Sequence, residues 1–315
     1  MYENLEMRQV LHDVLDQLME KNDKIVVIDA DLARANGTLA LRDKYADRAF
    51  DTGVAEQNMA AMAAGMAAYG FTPFIGSFTP FATRRICDQI AISIAYAKRN
   101  VKIIGSDPGI SAELNGGTHM SMEDIGVLRS IPGMVIFEPV DGMQLAKALP
   151  KIVAYDGAVY IRLFRKPAPP IFGSDYEFDL FKADLLRSGK DVTLFASGMM
   201  VKEALDAAGL LKSSGVDAEV INIHTIKPID REAVLASARK TGAAVTCENH
   251  NTIGGLRSAV AEVLSEEFPI PVKCIGVKDQ FGEVAKMDYL KNKFHMNAED
   301  IAEAAKEAIS MKSGC

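Results

Sequence analysis

The sequence predicts an α/β protein built from two consecutive open α/β domains with mostly parallel sheets. Short apolar segments such as KIVVIDA and TPFIGSF alternate with segments of helical periodicity, a pattern typical of parallel strands covered by helices on both faces. The alternation stops between residues 165 and 190, where the chain has three prolines and no clear period, and it restarts with DVTLFAS. We therefore expect domains over residues 1–168 and 190–315, joined by a linker over 169–189.

The first domain is expected to begin with an amphipathic helix, because apolar residues recur at helical spacing between residues 10 and 19. Helices are also predicted over residues 55–69 and, as one long helix, over 80–98. The predicted strands are KIVVIDA, RAFDTG, TPFIGSF, VKIIGSD and MVIFEPV. A glycine-rich loop and a short helix are expected between the last two of these strands.

The second domain repeats the alternation on a smaller scale. Its predicted strands are DVTLFAS, DAEVINIH, AAVTCEN and PVKCIGV. One helix is expected to end near Lys212, another to cover residues 231–240, and a third to follow the turn at Gly254 and Gly255. This arrangement predicts a second α/β unit of its own.

Composition excludes several classes of protein. The 315 residues carry a net charge of −7, which argues against a nucleic-acid partner. The four cysteines form no CxxC pair, which is typical of a reduced, cytoplasmic protein. The first 24 residues are acidic and amphipathic, unlike a signal peptide, and no uncharged apolar run of membrane-spanning length appears.

The stretch FDTGVAEQNMAAMAAGMAAYG places one glutamate, Glu56, at the start of a helix made almost wholly of Ala, Gly and Met. An acidic residue in a first helical turn is favoured by the helix dipole, and Asp51 or Thr52 could cap the same end. The small residues behind it indicate a closely packed, buried face. A carboxyl group buried there could instead keep a proton and donate it to a ligand.

Three N-terminal stretches, DTGVAEQNMAAMAAGMAAYGFTPFIGSFTPF, NGGTHMSMEDIGVLRSIPGM and EPVDGMQ, resemble the pyrimidine-binding domain of transketolase, a thiamine-diphosphate enzyme. DVTLFASGMMVKEA, INIHTIKPID and ENHNTIGG are similar to the C-terminal domain of the same family. The resemblance covers nearly the whole chain, in the family's order. It implies a thiamine-diphosphate-dependent transferase that moves a two-carbon ketol unit from a ketose to an aldehyde.

The resemblance implies specific cofactor contacts. Glu56 matches the glutamate that hydrogen-bonds a ring nitrogen of the aminopyrimidine, a role that needs a shielded, pre-placed carboxyl group. Phe78 and Phe81 match the aromatic residues that pack on that ring, although phenylalanine at a strand-to-helix junction is also ordinary core. Asp31 and Leu32 match an Asp-Leu pair near the cofactor; Asp31 could equally cap a turn.

The resemblance also implies substrate contacts. His119, in NGGTHMS, matches a histidine beside the reacting carbonyl and is the best acid–base candidate among the five histidines. Arg8 and Arg165 match arginines that hold the sugar phosphate, a role that suits a guanidinium group. A surface arginine at either position is the alternative.

The sugar end of the pocket departs from the family pattern. Asn115 stands where transketolases carry an aspartate that contacts a substrate hydroxyl. Ser106 replaces a histidine of the phosphate site, and Ala35 replaces a serine there. We therefore expect a donor or acceptor other than the common pentose and hexose phosphates, with a different anionic terminus as one alternative.

The chain lacks the Gly-Asp-Gly motif through which the N-terminal half of a transketolase binds the diphosphate with Mg²⁺. Asp141-Gly142 and Asp156-Gly157 lack the preceding glycine. The resemblance thus implies a split enzyme in which an N-terminal subunit brings Mg²⁺ and the diphosphate site. An α₂β₂ heterotetramer is expected, with no metal bound by this chain.

Two other functions fit parts of the pattern. The β subunit of a 2-oxoacid dehydrogenase and the second half of deoxyxylulose-phosphate synthase share the two-domain plan and the cofactor. A non-catalytic scaffold or regulatory subunit is the alternative from another class. NGGTHMSMEDIGVLRSIPGM favours transketolase over the β subunit.

Overall fold

Strands and helices alternate along the N-terminal half. The computed structural model describes residue 2 and residues 4–314, and its strands there are β1 (Ile25–Asp29), β2 (Ala49–Asp51), β3 (Thr72–Phe78), β4 (Lys102–Ser106), β5 (Val135–Phe137) and β6 (Val159–Leu163). The helices are α1 (Met7–Lys21), α2 (Ala33–Asn36), α3 (Leu39–Lys44), α4 (Glu56–Ala68), α5 (Thr79–Ala82), α6 (Asp124–Arg129) and α7 (Gly142–Ala154).

The C-terminal half continues the alternation. Its strands are β7 (Asp184–Arg187), β8 (Val192–Ala196), β9 (Ala218–Asn222), β10 (Thr225–Lys227), β11 (Ala244–Asn251) and β12 (Val272–Val277). Its helices are α8 (Met200–Ser213), α9 (Arg231–Thr241), α10 (Leu256–Glu267), α11 (Met287–Lys293) and α12 (Ala298–Ser310).

The strands form two sheets that are parallel except at one edge each. The first sheet has the order β10-β5-β6-β4-β3-β1-β2, and only the β10–β5 pair is antiparallel. The second has the order β12-β11-β8-β9-β7, and only the β7–β9 pair is antiparallel. The predicted fold class is confirmed.

Helices bury both faces of the first sheet, which explains why its strands are continuously apolar. On one face α1 and α7 pack against β1, β4 and β6. On the other face α4 and the helical turn Gln89–Tyr96 cover the sheet. Helix α1 buries the apolar stripe that its periodicity predicts, with the following members: Met7, Val10, Leu11, Val14, Leu15 and Met19.

The single long helix predicted over residues 80–98 is wrong. The segment consists of α5, a 3₁₀ turn over Arg84–Ile86 and a π-helical run over Gln89–Tyr96. Thr83 interrupts the helix with φ −130° and ψ −83°, and its Oγ1 donates a 2.7 Å hydrogen bond to the Thr79 carbonyl oxygen. A threonine that bonds the preceding turn in this way competes with regular helical bonding.

The segment 169–189, predicted to be a linker, contains strand β7. This strand pairs with β9 at the edge of the second sheet, and most of its residues are only partly buried. An edge strand of four residues has too little apolar alternation for the sequence pattern to reveal it. Strand β10, in turn, extends the first sheet with residues from the C-terminal half.

Among the residues that the structure describes, no helix is both long and apolar enough to cross a bilayer.

Candidate functional site

The candidate site lies where the parallel strands of the first sheet end. In the order β2-β1-β3-β4, strand β2 lies on one side of β1 and strands β3 and β4 lie on the other, so β1 and β3 flank a topological switch point. In open α/β sheets, ligands bind outside the carboxyl ends of the strands at such a point. Asp31 and Leu32 follow β1 here, Phe78 ends β3 and Ser106 ends β4. Topology thus brings together residues distant in sequence.

Glu56 is a buried carboxyl group at the first residue of α4, with a side chain 5% exposed. Its position in the first turn is favoured by the helix dipole, as the simpler interpretation of the sequence requires. Its Oε1 atom accepts a 2.6 Å hydrogen bond from Nη1 of Arg85, whose side chain is 41% exposed. The carboxyl group is therefore shielded from water and paired with a half-exposed cation.

An aromatic cluster adjoins this pair. The ring of His119 meets the rings of Phe78 and Phe81 edge-on, with centroids 5.7 and 5.3 Å apart. The two phenylalanine rings are 6.4 Å apart, and both are partly exposed. The Arg85 guanidinium carbon lies 3.7 Å from the Phe81 centroid, within the range of a cation–π contact. Arg85 therefore links Glu56 to the cluster.

Arg165 borders the other side of the cluster. Its guanidinium carbon lies 4.9 Å from the Phe78 centroid. The guanidinium group forms an ion pair with Asp107, which is almost fully buried, and donates a 3.2 Å bond from Nη1 to the Ala35 carbonyl oxygen. The carboxylate of Asp107 thus partly neutralises the positive charge of Arg165.

A main-chain hydrogen bond joins Arg8 to Arg165. Its amide nitrogen donates a 3.2 Å hydrogen bond to the Arg165 carbonyl oxygen. Its side chain lines an open cleft of about 650 Å³ with His12 and Arg34, and its Nε donates a 2.6 Å bond to Glu6. Both predicted anion-binding arginines therefore lie in one region, each with a carboxylate partner.

Asp31 and Leu32 occupy the turn between β1 and α2. Asp31 has a φ of +65°, a left-handed conformation that aspartate tolerates better than most residues. Its amide nitrogen donates a 3.0 Å bond to Oδ1 of Asp51, and its side chain is exposed. Leu32 is half-buried at the start of α2.

Ser106 is fully buried inside the sheet edge. Its Oγ donates a 2.8 Å bond to Oδ1 of Asn36, and Asn36 donates a 3.0 Å bond to Oδ1 of Asp29. Thr38 donates a 2.6 Å bond to the other oxygen of Asp29. Burial raises the pKa of Asp29 to about 6, despite these two donors. Ser106 therefore supports the turn after β1 from within.

Asn115 ends the helical segment Gly109–Asn115, four residues before His119. Its side chain is exposed, whereas His119 is partly buried against the phenylalanines. The structure thus brings Glu56, Phe78, Phe81, His119 and Arg165 into one connected cluster, while Asn115 lies at its margin.

Sequence reasoning missed several residues at this edge. Arg85 and Asp107 contact the residues that the sequence singled out, and Asn36 links Ser106 to Asp29. The aspartate directly after the apolar strand VKIIGS was a usable signal, because polar residues at the carboxyl ends of parallel strands line ligand sites. No local pattern distinguishes Arg85 from its neighbour Arg84.

The polar residues around His250, in ENHN, lie on a strand and not in a turn. His250 lies fully buried on β11, where burial lowers its pKa to about 4. His224 is also buried, and burial lowers its pKa to about 4. Across the part of the chain that the structure describes, no cluster of three His, Cys, Asp or Glu side chains could hold a metal ion.

Two family models match the chain in sequence order. The transketolase pyrimidine-binding domain matches residues 3–170, and the transketolase C-terminal domain matches residues 181–301. The chain is 55% identical to a 6-deoxy-6-sulfo-D-fructose transketolase subunit from Clostridium sp. (strain MSTE9), over 98% of this chain and 95% of that protein. It is 37% identical to one of the subunits of an apulose-4-phosphate transketolase from Phocaeicola vulgatus, over 87% of this chain and 88% of that protein.

A solved structure shows the same architecture. A split-gene transketolase, described as an inactive beta4 tetramer, superposes with a TM-score of 0.91 at 41% identity, covering 98% of this chain and 99% of that one. By sequence, a 1-deoxy-D-xylulose-5-phosphate synthase from Geobacter sulfurreducens is 33% identical over 96% of this chain, which spans only 48% of that protein. The matches cover both halves of the chain in the order that the sequence analysis predicts.

Proposed function

Because the chain belongs to the transketolase family, we propose that it is the C-terminal subunit of a split, thiamine-diphosphate-dependent transketolase. The reaction is the transfer of a two-carbon ketol unit from a ketose to an aldehyde. The observation that carries the proposal is the contact of the buried Glu56 carboxyl group, through Arg85, with the aromatic cluster of Phe78, Phe81 and His119.

The residues fit an aminopyrimidine ring. A carboxyl group 5% exposed offers a hydrogen bond in a water-poor setting, and two partly exposed aromatic rings beside it offer faces for packing. Glu56, Phe78 and Phe81 would hold the ring, and Asp31 and Leu32 would border it from the end of β1. When bound, thiamine diphosphate supplies a nucleophilic carbon that attacks a carbonyl group.

The positions of three side chains support the roles that we propose for them. Glu56 would hydrogen-bond a ring nitrogen of the aminopyrimidine, because its burial excludes water as a competing partner. His119, partly buried beside the two phenylalanine rings, would contact substrate oxygens and move protons there. Asn115 contacts the sugar from the margin of the pocket.

Arg8 and Arg165 would hold the anionic end of the substrate. Each guanidinium group already has a carboxylate partner, Glu6 for Arg8 and Asp107 for Arg165, so the local positive charge is largely balanced. A phosphate ester carries roughly 1.5 to 2 negative charges at neutral pH, more than a sulfonate or carboxylate does. This balance favours a monoanionic terminus, and a 6-deoxy-6-sulfo ketose is the donor that we propose.

We further propose an N-terminal partner subunit that supplies Mg²⁺ and the diphosphate site, in an α₂β₂ assembly. The exposed face of α4 is suited to such an interface, because its members carry no charge; they are Gln57, Asn58, Ala61, Gly65 and Ala68. Tyr69, at the end of the helix, is 87% exposed. An uncharged helix face next to the site fits a surface that a partner covers.

The test combines this chain with a partner subunit whose sequence contains Gly-Asp-Gly, in the presence of added thiamine diphosphate and Mg²⁺. We expect ketol transfer from 6-deoxy-6-sulfo-D-fructose to an aldehyde acceptor, and none from this chain alone. Fructose 6-phosphate is the matched donor control, and its kcat/KM should be at least about tenfold lower, a difference of about 1.4 kcal/mol.

Three results would contradict parts of the proposal. Turnover by the isolated chain would remove the partner requirement. Xylulose 5-phosphate and ribose 5-phosphate as by far the best pair would remove the donor assignment. Acylation of a lipoyl protein, or condensation of pyruvate with an aldehyde, in place of ketol transfer would favour the dehydrogenase or synthase alternative.

A further inference from the structure

The loop that carries Asn115 and His119 belongs to the first half of the chain but packs into the second. Gly117 meets Gly282, Gly116 meets Val284, and Met120 packs against Gly282. Farther along, the Asn251 amide nitrogen donates a 2.8 Å bond to the Met122 carbonyl oxygen. The C-terminal half therefore packs against one side of this loop.

The side chain of Asn249, near the end of β11, holds the start of the loop from the second half of the chain, and Ser111 Oγ adds a bond to the Pro108 carbonyl oxygen from within the loop. Oδ1 of Asn249 accepts a 2.9 Å bond from the Ile110 amide nitrogen, and its Nδ2 donates a 2.9 Å bond to the Pro108 carbonyl oxygen. Asn249 is 1% exposed, so both bonds form in a dry setting where an unpaired partner would be costly. The amide thus bridges two main-chain groups on either side of Gly109.

Gly109 lets the loop approach this close. Its φ of +56° lies in the left-handed region, and a Cβ atom there would collide with both the side-chain and main-chain oxygens of Asn249. Its amide nitrogen donates a 2.9 Å bond to the Ser121 carbonyl oxygen, which joins the two ends of the loop.

Asn249 is itself held in place from the first domain. Nη2 of Arg162, a fully buried residue of β6, donates a 2.6 Å bond to the Asn249 carbonyl oxygen. Arg162 also pairs with Asp124, at the start of α6 just beyond the loop. Arg162 on β6 therefore bonds both to β11 and to α6, while Asn249 on β11 bonds to the start of the loop that leads to α6.

We propose that Asn249 is a positioning residue: the C-terminal domain uses its side-chain amide to fix the loop that presents His119 and Asn115 to the substrate. The inference rests on the proposed function, because it assigns the loop to the sugar end of that site. Asn249 itself touches neither His119 nor the aromatic rings in this role. It acts on them through the main chain at residues 108–110.

The kinetic test uses the complex reconstituted with its partner and the donor 6-deoxy-6-sulfo-D-fructose. Asn249→Ala should lower kcat/KM for the donor about 10- to 100-fold, the loss expected when a reacting group shifts by about an ångström. The apparent KM for thiamine diphosphate should change less than about threefold. Thr246→Val is the matched control, since Thr246 lies buried on the same strand and its hydroxyl has no partner among the described residues.

A double-mutant cycle with His119→Ala separates positioning from general destabilisation. If Asn249 acts through the loop, adding Asn249→Ala to His119→Ala should cost less than about threefold more. Losses that multiply would overturn the proposal, because they would show that Asn249 acts independently of His119. Parental kcat/KM in Asn249→Ala would overturn it as well.

Amide hydrogen exchange tests whether Asn249 anchors the loop, and it does not depend on enzyme activity. In the full chain, Asn249→Ala should speed amide exchange at Ile110 and its neighbours at least about tenfold, with the rest of the first domain unchanged. Gly109→Ala disrupts the same contact from the loop side and should produce the same local pattern of faster exchange. The two variants are independent, so the test still works if one of them folds poorly. Unchanged exchange at residues 108–119 in both variants would refute the anchor, whereas an inactive parental complex would refute only the proposed function.

Discussion

Nη1 of Arg85 lies 2.6 Å from Oε1 of Glu56, and the same guanidinium group covers the ring of Phe81 at 3.7 Å. One cation thus occupies both an oxygen and an aromatic face that the proposed cofactor ring would use. Because Arg85 is 41% exposed, it can leave without unfolding the site. Cofactor binding and the Arg85–Glu56 pair are therefore expected to compete.

Replacing Arg85 with methionine should ease cofactor binding. Without the competing guanidinium group, the apparent KM for thiamine diphosphate should fall about three- to tenfold, as expected for a loss of about 1 kcal/mol of competing interaction. The measurement is a cofactor titration of ketol-transfer rate in the reconstituted complex. Arg84→Met is the control, since Arg84 is the adjacent arginine and pairs with Glu123. A higher KM in Arg85→Met would mean that Arg85 supports the cofactor.

Glu56→Gln should abolish most of the activity while leaving the fold intact. Glutamine keeps the size and an oxygen for Arg85 but cannot hold the exchangeable proton, so kcat should fall about 100- to 10,000-fold. Ketol-transfer rates and thermal unfolding of the reconstituted pair provide the measurements. Glu262→Gln, at a side chain 61% exposed on α10, is the control. Retention of parental activity in Glu56→Gln would favour the scaffold alternative.

Asp29→Asn should change how stability depends on pH. Burial raises the pKa of Asp29 to about 6, so the folded state binds a proton more tightly than the unfolded state does. The contribution of Asp29 to the free energy of unfolding is therefore fully present below about pH 4 and declines by about 3 kcal/mol as the pH rises through 6. Asparagine, which cannot ionise, should remove this decline.

Urea unfolding at pH 4.5 and pH 7.5 checks this expectation. The stability of Asp29→Asn relative to the parent should increase between the two values by about 1 to 3 kcal/mol. Asparagine can still accept from Asn36 and donate to Thr38, so the local bonds survive. Asp43→Asn, on an exposed position of α3, should differ from the parent by less than about 0.5 kcal/mol at both values. A difference that does not vary with pH would contradict the assignment.

Arg162→Met should destabilise the chain strongly. It would leave the buried carboxylates of Asp124 and Glu138 without their cation and the Asn249 carbonyl oxygen without its donor. Breaking a buried ion pair on one side costs about 3 to 5 kcal/mol. Urea unfolding measures the loss. Arg231→Met removes exposed pairs with Glu266 and Glu267 instead and should cost less than about 1 kcal/mol. Equal losses in both variants would be the contrary result.

Local sequence pattern was sufficient to predict the two α/β domains, their order and their family. Parallel strands buried on both faces must be apolar throughout, so β1, β3 and β4 were visible as continuous runs. Motifs such as GVAEQNMAA and NGGTH singled out Glu56 and His119 as candidate site residues, because each places an ionisable side chain in a recognisable local context.

What those residues touch became visible only in the folded chain. Arg85 lies 29 positions from Glu56, and Asn249 lies 139 positions from Ile110, so no local period connects them. The edge strand β7, the broken helix after Phe78 and the burial of His250 were equally hidden, since each depends on packing against distant segments. Local pattern fixes which face of an element is apolar; which side chains meet at a strand end depends on the order of strands in the sheet, and that order is set by long-range packing.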